Sequence, residues 1–365
     1  MVKIDLSALA HNLSQVKHLA RGRPILAVVK ADAYGHGAVP ISLELQKLGV
    51  PYFGVSNCRE GVELRRAGVV RPIILMGGCE PGEAPAVVEH ELTPVLFDLR
   101  SARALNEEAI RRGGRVLFHL KIDTGMGRLG IQPEAIATFL GEMKRMEGLE
   151  MEGLMTHFSE ADAPEKDFTE MQLSLLEKAI PEVNRMGFFP RLIHAANSAA
   201  LIDFPPALMS LVRPGILLYG SAPSPEMEEK LDLRPVMSLV SRISFLKRVP
   251  PGTPISYGRT FVTHRESLIA SVPIGYTHGY PRSLSNRGEA LVRGRRVRVV
   301  GRVCMDWTML DVTDVTGAAL GDEVVLLGRQ GKETITAWEL ATLADTIPYE
   351  IFCSVGLKGE RIYIS

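Results

Sequence analysis

Lys30 ends the apolar run Ile25-Leu26-Ala27-Val28-Val29 and opens the segment Lys30-Ala31-Asp32-Ala33-Tyr34-Gly35-His36-Gly37. The run is β-rich and predicts a buried strand, and the two glycines predict a turn after it. A lysine at the mouth of a buried strand is costly unless it has a partner or a task. One such task is covalent: the amine can form a Schiff base with a carbonyl cofactor such as pyridoxal phosphate. A plainer alternative is a lysine whose stem lies along apolar surface with its charge in water. The segment alone leaves both open.

Further polar groups stand at the ends of later apolar runs. Lys121-Ile122-Asp123-Thr124-Gly125-Met126-Gly127-Arg128 puts a lysine, an acid and an arginine in one turn region. Thr156-His157-Phe158, His194-Ala195-Ala196-Asn197-Ser198 and Arg213-Pro214-Gly215-Ile216 follow. Taken singly, each has an ordinary explanation. An isolated His157 is more often a satisfied core histidine, and Gly215 can serve only the turn after Pro214. Convergence of several strand ends is what points to a site. Barrel enzymes often bind phosphate at the loops after strands seven and eight, which makes Ser198, Gly215 and the backbone N–H of Ile216 candidates.

The elements that must position these groups alternate. Strand-like runs fall at residues 25–29, 52–55, 72–76, 93–97, 116–122, 151–156, 192–195 and 211–219. Helix-like stretches lie between most of them, at 38–48, 59–67, 80–89, 99–112, 133–146 and 166–185, with a short one at 198–204. This alternation predicts an α/β fold, an N-terminal (β/α)8 TIM-type barrel over residues 1–232. Ser221-Ala222-Pro223-Ser224-Pro225 opens a linker. Residues 233–365 are strand-rich, with runs at 237–246, 268–273, 290–292, 297–303, 310–312 and 323–327 and one helix at 337–344. They predict a C-terminal mostly antiparallel β domain.

Composition excludes several classes. Hydrophobic content of 46% and charged content of 23% are ordinary for a soluble globular protein. The 42 basic and 42 acidic side chains cancel, and no basic run suggests a nucleic-acid partner. Cys58, Cys79, Cys304 and Cys353 are far apart and form no CxxC pair, so neither a metal site nor a disulfide framework is expected. The first six residues lack the apolar core of a signal peptide, and no stretch approaches the roughly 20 apolar residues of a membrane helix. These features predict a cytoplasmic protein with no membrane partner.

Over essentially its whole length the chain resembles the alanine racemases. Val29–Gly37 looks like their lysine signature for pyridoxal 5'-phosphate. In family order follow Lys121–Gly130 (KIDTGMGRLG), His157-Phe158, His194–Ser198 (HAANS), Arg213-Pro214-Gly215, Ser256-Tyr257-Gly258, Pro273-Ile274-Gly275-Tyr276 and Gly301–Asp306 (GRVCMD). The set is specific, because Tyr257 and Cys304-Met305-Asp306 lie in the β domain and separate racemases from relatives that share only the lysine signature. Departures are modest. Thr277-His278 stands where Ala-Asp is common, and Ser159-Glu160-Ala161-Asp162 also varies.

The resemblance implies a homodimer, pyridoxal 5'-phosphate, and interconversion of L- and D-alanine, the latter for peptidoglycan. It implies Lys30 as the base on the D face and Tyr257 on the L face. Removing a proton from one face and returning it to the other is simplest with two bases. A phenol is a poor base at neutral pH, and His157 with Arg213 are the groups that could supply positive charge or hydrogen bonds to it. Arg213 is implied as donor to the pyridine nitrogen, Arg128 as partner of the cofactor phenolic oxygen and the substrate carboxylate, and the Met305 N–H as its companion. Tyr34, Ser198, Gly215, Ile216 and Tyr349 are implied as phosphate ligands. In many relatives the lysine matching Lys121 is carbamylated. Two alternatives stand beside the racemase: a decarboxylase of the same architecture, which would need an acid where this chain has Arg213, and a non-enzymatic carrier of the cofactor, which would need no C-terminal domain.

Overall fold

The computed structural model describes all 365 residues. The chain opens with β1 (Val2–Asp5) and the helix Leu6–Ala20, whose first turn is capped by the Asp5 carboxylate accepting the Ala8 N–H at 2.9 Å. Seven parallel strands then run side by side in chain order: β2 (Leu26–Val28), β3 (Tyr52–Val55), β4 (Ile73–Leu75), β5 (Thr93–Leu96), β6 (Val116–Lys121), β7 (Leu149–Met155) and β8 (Leu192–His194). They are apolar almost throughout, as strands buried on both faces must be. Helices Ala38–Lys47, Cys58–Arg66, Ala84–Glu89, Leu99–Arg111, Ile136–Met143 and Asp167–Arg185 occupy the intervals. Several start on side-chain caps: Asn57 accepts the Glu60 N–H at 3.1 Å, and Asp98 accepts the Ser101 N–H at 2.9 Å.

The eighth position closes the barrel but is shorter than expected. Ile25 and Val212 form a parallel bridge. Leu26 and Val28 donate to the carbonyls of Val212 and Pro214 at 2.8 and 3.0 Å, and Arg213 donates to Ala196 at 3.0 Å. Past this point the expected strand fails, because Ile216–Tyr219 is a 3-10 turn. Pro214 offers no N–H to continue a ladder. Residues 216–219 are buried on every side, a pattern that strand and helix share.

The C-terminal part contains β9 (Met237–Arg242), β10 (Phe245–Val249), β11 (Pro254–Ile255), β12 (Phe261–Val262), β13 (Ser267–Val272), β14 (Glu289–Val292), β15 (Arg295–Val299), β16 (Thr308–Asp311), β17 (Glu323–Gln330), β18 (Glu333–Ile335) and β19 (Arg361–Ile364). The single run expected at 237–246 is therefore two strands. One large sheet has the order β10-β13-β16-β15-β14-β17-β9-β1-β19, with β18 on β17, while β11 and β12 form a separate hairpin. All its pairings are antiparallel except β1 with β19. Residues 2–5, counted with the barrel in the sequence division at 232, thus lie in the C-terminal sheet. Val2 and Ile4 alternate onto its buried face and need that sheet for their burial. The expected helix forms as Ala337–Ala344, and a further one, Pro348–Lys358, returns to the barrel and packs against the segment after Lys30.

Candidate active site

The site is built at the C-terminal ends of the barrel strands, and its least ordinary element is the turn after Lys30. Ala31, Asp32, Ala33 and Tyr34 all have φ between 52° and 54°. A left-handed turn of L residues costs about 1–2 kcal/mol per residue, so these four store about 4–8 kcal/mol. Its N–H groups are satisfied internally, Ala33 on Val29 at 2.8 Å and Gly35 on Ala31 at 3.0 Å. Glu60 braces the entry, accepting from Ala31 at 2.9 Å and from Ser56 at 2.7 Å. His36 is fully buried and held near 4, so it is neutral. Its Nδ1–H is shared between the carbonyls of Ala33 and Tyr34, both at 3.0 Å.

Lys30 faces a ring of positive charge. Burial, then Arg128, pushes its amine below the ordinary lysine range, opposed by Glu60 and Cys353. Lys30 is half-buried and Lys121 buried, and desolvation followed by Arg128, Arg213 and Lys30 brings Lys121 down to about 8. Neither amine makes a hydrogen bond or ion pair within the chain. Asp123, the acid in this cluster, is committed to structure: one of its oxygens accepts the N–H groups of Gly125 and Gly127, both at 3.0 Å, shaping the turn that carries Arg128. Two lysines and two arginines with so little counter-charge suit anionic ligands, such as a phosphate, a carboxylate or a phenolate.

Arg213 is fully buried at the barrel centre, and desolvation lowers it to about 9, so it stays protonated at neutral pH. It donates to Thr156 O at 2.8 Å, Ala195 O at 2.9 Å and His194 Nδ1 at 3.0 Å. Its Nε–H makes no hydrogen bond within the chain. His194 must therefore carry its proton on Nε2, which faces His119 Nδ1 at 2.8 Å; His119 Nε2 in turn faces Glu152 at 3.3 Å. Burial first, then Arg213, keeps His194 neutral. The same two causes, with Arg128, Lys121 and Lys30 behind them, hold His157 well below its ordinary range. His157 is thus a neutral neighbour of Arg213, at 3.4 Å, and offers hydrogen bonding rather than the positive charge the sequence allowed for.

A second corner collects Tyr34, Ser198, Gly215, Ile216 and Tyr349. Ser198 Oγ accepts the Gly215 N–H at 2.9 Å. The rings of Tyr34 and Tyr349 lie 5.8 Å apart. A Cβ at Gly215 would sit 2.6 Å from the Tyr34 hydroxyl, so glycine is what lets the phenol approach the backbone. Hydroxyls, a glycine backbone and the opening N–H groups of a helical turn fit a phosphate. With an amine at one end, an arginine donor at the centre and this corner at the other, the residues present fit pyridoxal phosphate.

Tyr257 and Met305 are elsewhere. Tyr257 is 70% exposed and Met305 54%, and neither makes a side-chain hydrogen bond to the barrel mouth. Both are held stiffly. Tyr257 follows Ser256 (φ 66°) and precedes Gly258 (φ 71°), with the Ser256 hydroxyl donating to Arg302 O at 2.7 Å. The departure Thr277-His278 is absorbed here: Thr277 donates to the Met305 carbonyl at 2.8 Å, and His278 Nδ1 accepts from Gly275 at 3.2 Å. Glu60, His119, Gln172 and Cys353 are site neighbours that the sequence did not single out. Gln172 ties the loops after β6 and β7: its amide oxygen accepts the Ser159 N–H at 3.1 Å, and its amide nitrogen donates to His157 O at 3.2 Å and to Thr124 Oγ1 at 3.5 Å. Nothing local marks these residues: Glu60, Gln172 and Cys353 reach the site from helices and His119 from β6, all through tertiary packing.

Fold and site together define a class, a parallel barrel joined to an antiparallel β domain with a cationic mouth that fits pyridoxal phosphate. Family models described as alanine racemase N-terminal and C-terminal domains match residues 4–223 and 236–363. An alanine racemase of Geobacter sulfurreducens is 47% identical over 370 residues, covering 100% of this chain and 97% of that one. The solved alanine racemase of Clostridium difficile 630 superposes with a TM-score of 0.93 at 36% identity, covering 100% and 95%. That of Bacillus anthracis, solved with L-Ala-P bound, gives 0.92 at 35%, covering 100% and 94%. The chain belongs to the alanine racemase family.

Proposed function

We propose that the chain racemises alanine by a two-base mechanism, with pyridoxal 5'-phosphate held by Lys30, in a homodimer that shares its active sites. The observation that carries this is the unpartnered, half-buried Lys30 amine inside a cationic mouth whose central residue is Arg213. When bound, the cofactor withdraws electrons from the Cα of the attached amino acid and acidifies its hydrogen. Lys30, its affinity for protons lowered by burial, takes and returns a proton on the D face. Tyr257 does so on the L face, with neutral His157 as hydrogen-bonding neighbour. Tyr257 and Met305 are exposed in their own chain, and reach the mouth of a partner's barrel. Arg128 and the Met305 N–H hold the substrate carboxylate, while Tyr34, Ser198, Gly215, Ile216 and Tyr349 hold the phosphate.

Arg213 gives the ring nitrogen a donor that keeps its proton at neutral pH. The decarboxylase alternative needs a carboxylate there, and the groups around Arg213 are carbonyls and imidazoles. Lys121 carries a carbamate that offsets the surrounding cations. The functional division falls at residues 232 and 233, apart from residues 2–5, which join the C-terminal sheet. All four cysteines are free, which suits the cytoplasm, where D-alanine would feed peptidoglycan synthesis. No helix is long and apolar enough to cross a membrane.

The test assays one cofactor-loaded sample for D-alanine from L-alanine and for carbon dioxide. D-alanine without carbon dioxide, abolished by Lys30→Ala, is expected. Carbon dioxide without D-alanine would overturn the reading.

A further inference from the structure

The turn that opens with Lys30 is held from the far end of the chain. Its internal hydrogen bonds do not choose its hand, because a right-handed turn satisfies the same N–H groups. Four consecutive L residues stay left-handed only where their surroundings over-determine them. Those surroundings include β19. Arg361 pairs with the Asp32 carboxylate and donates to the Gly35 carbonyl at 3.1 Å. The Tyr363 hydroxyl donates to the His36 carbonyl at 3.1 Å. The approach is close enough that a Cβ at Gly37 would overlap that hydroxyl. β19 is itself fixed in register on β1, Val2 opposite Arg361 and Ile4 opposite Tyr363. Asp32 also accepts the Ala38 N–H at 2.6 Å, so the ion pair ties the turn to the start of the next helix. Neither Arg361 nor Tyr363 makes a hydrogen bond to Lys121, Arg128 or Arg213.

We infer that Arg361 and Tyr363 are positioning residues that hold the left-handed turn and so fix Lys30 against the corner formed by Tyr34, Ser198 and Gly215. This rests on the reading of Lys30 as the cofactor lysine. Both ends of the cofactor site hang on the turn, since Lys30 begins it and Tyr34 completes it. Groups on β19 that touch neither cofactor nor substrate thereby set the distance between amine and phosphate corner.

The variants are Arg361→Gln, Arg361→Lys and Tyr363→Phe in the full-length dimer. Lys3→Met serves as control; it breaks the 3.1 Å ion pair to Glu323 in the same sheet without touching the turn. One readout is backbone hydrogen–deuterium exchange of the peptide covering residues 30–38 without added cofactor. Arg361→Gln should speed its exchange about tenfold or more, the scale of one lost charge-assisted hydrogen bond, and leave β3 unchanged. A second readout is kcat against KM with added pyridoxal phosphate: kcat should fall about tenfold or more, with KM for alanine within about twofold. Arg361→Lys should recover part of both effects, Tyr363→Phe should show them in smaller measure, and Lys3→Met should show neither. If Arg361→Gln does not fold, Tyr363→Phe, which removes one oxygen atom, carries the test. Ordinary exchange at 30–38 together with wild-type kcat would overturn the inference, as would equal effects from Lys3→Met. Borohydride labelling of wild-type Lys30 is run alongside. Its failure would remove the cofactor assignment, while the exchange measurement would still report on the clamp.

Discussion

Lys121 offers a quantitative test of the cationic mouth. Its amine falls from 10.5 to about 8, mainly through burial, and at 1.36 kcal/mol per unit this is a penalty of about 3 kcal/mol for holding the charge in the folded chain. Because the folded value lies below the unfolded one, the unfolded chain binds more protons between pH 8 and 10.5. Stability should therefore rise with pH across that window, and the full penalty should apply below pH 8. Lys121→Met keeps the stem and removes the charge. In buffer free of carbon dioxide and cofactor, the variant should be more stable than wild type at pH 7 by up to about 3 kcal/mol in urea unfolding. The gap should close as pH approaches 10.5. Carbon dioxide adds a second arm. At pH 7 a group titrating near 8 is about 10% neutral, roughly 300-fold more than an ordinary lysine, and the neutral amine is the form that becomes a carbamate. Adding bicarbonate should stabilise wild type, leave Lys121→Met unchanged, and yield a carbamate carbon signal with labelled bicarbonate. A variant less stable than wild type at pH 7, or a gap that ignores pH, would refute the electrostatic reasoning.

Tyr257→Phe should cost little stability, since it keeps the ring and removes a hydroxyl that makes no hydrogen bond within its own chain, yet abolish racemisation. D-alanine should still exchange its α-hydrogen with deuterated solvent, and L-alanine should lag by about 10²–10⁴-fold; equal losses from both enantiomers would argue against separate bases. Lys30→Ala mixed with Tyr257→Phe should regain activity once subunits exchange, because one site in each heterodimer has both bases; verified exchange with no activity would rule out shared sites. Gly215→Ala should weaken cofactor retention, measured by dialysis, because the added methyl meets the Tyr34 hydroxyl at 2.6 Å.

The barrel was legible because its strands and helices are local patterns. Residues 38–48 read as a helix and form one at Ala38–Lys47, and 52–55 read as a strand and form β3. Lys30 was legible as a chemical oddity at a strand end, and as part of a motif. The turn behind it was not: Ala-Asp-Ala-Tyr contains no glycine or asparagine to announce positive φ, and its hand is imposed by groups more than 320 residues away. The membership of β1 was hidden for the same reason, since a four-residue alternation cannot say which sheet it joins. The 216–219 turn was hidden by uniform burial. His157 was legible as a site residue, but its neutrality depends on burial first and then on four neighbouring cations, none of which the sequence places.

The position of β1 has a consequence for synthesis. This strand is synthesised before both of its neighbours, β9 and β19, the latter at residues 361–364. Val2 and Ile4 end with no exposed surface, but one edge of their strand stays unpaired until residues 361–364 emerge. Pairing across nearly the whole length of a chain closes late and slowly. Between the synthesis of β1 and that of β19 the nascent protein thus carries an open strand edge, the kind of edge on which unfinished chains associate. A chain that stops a few residues early would carry that edge permanently.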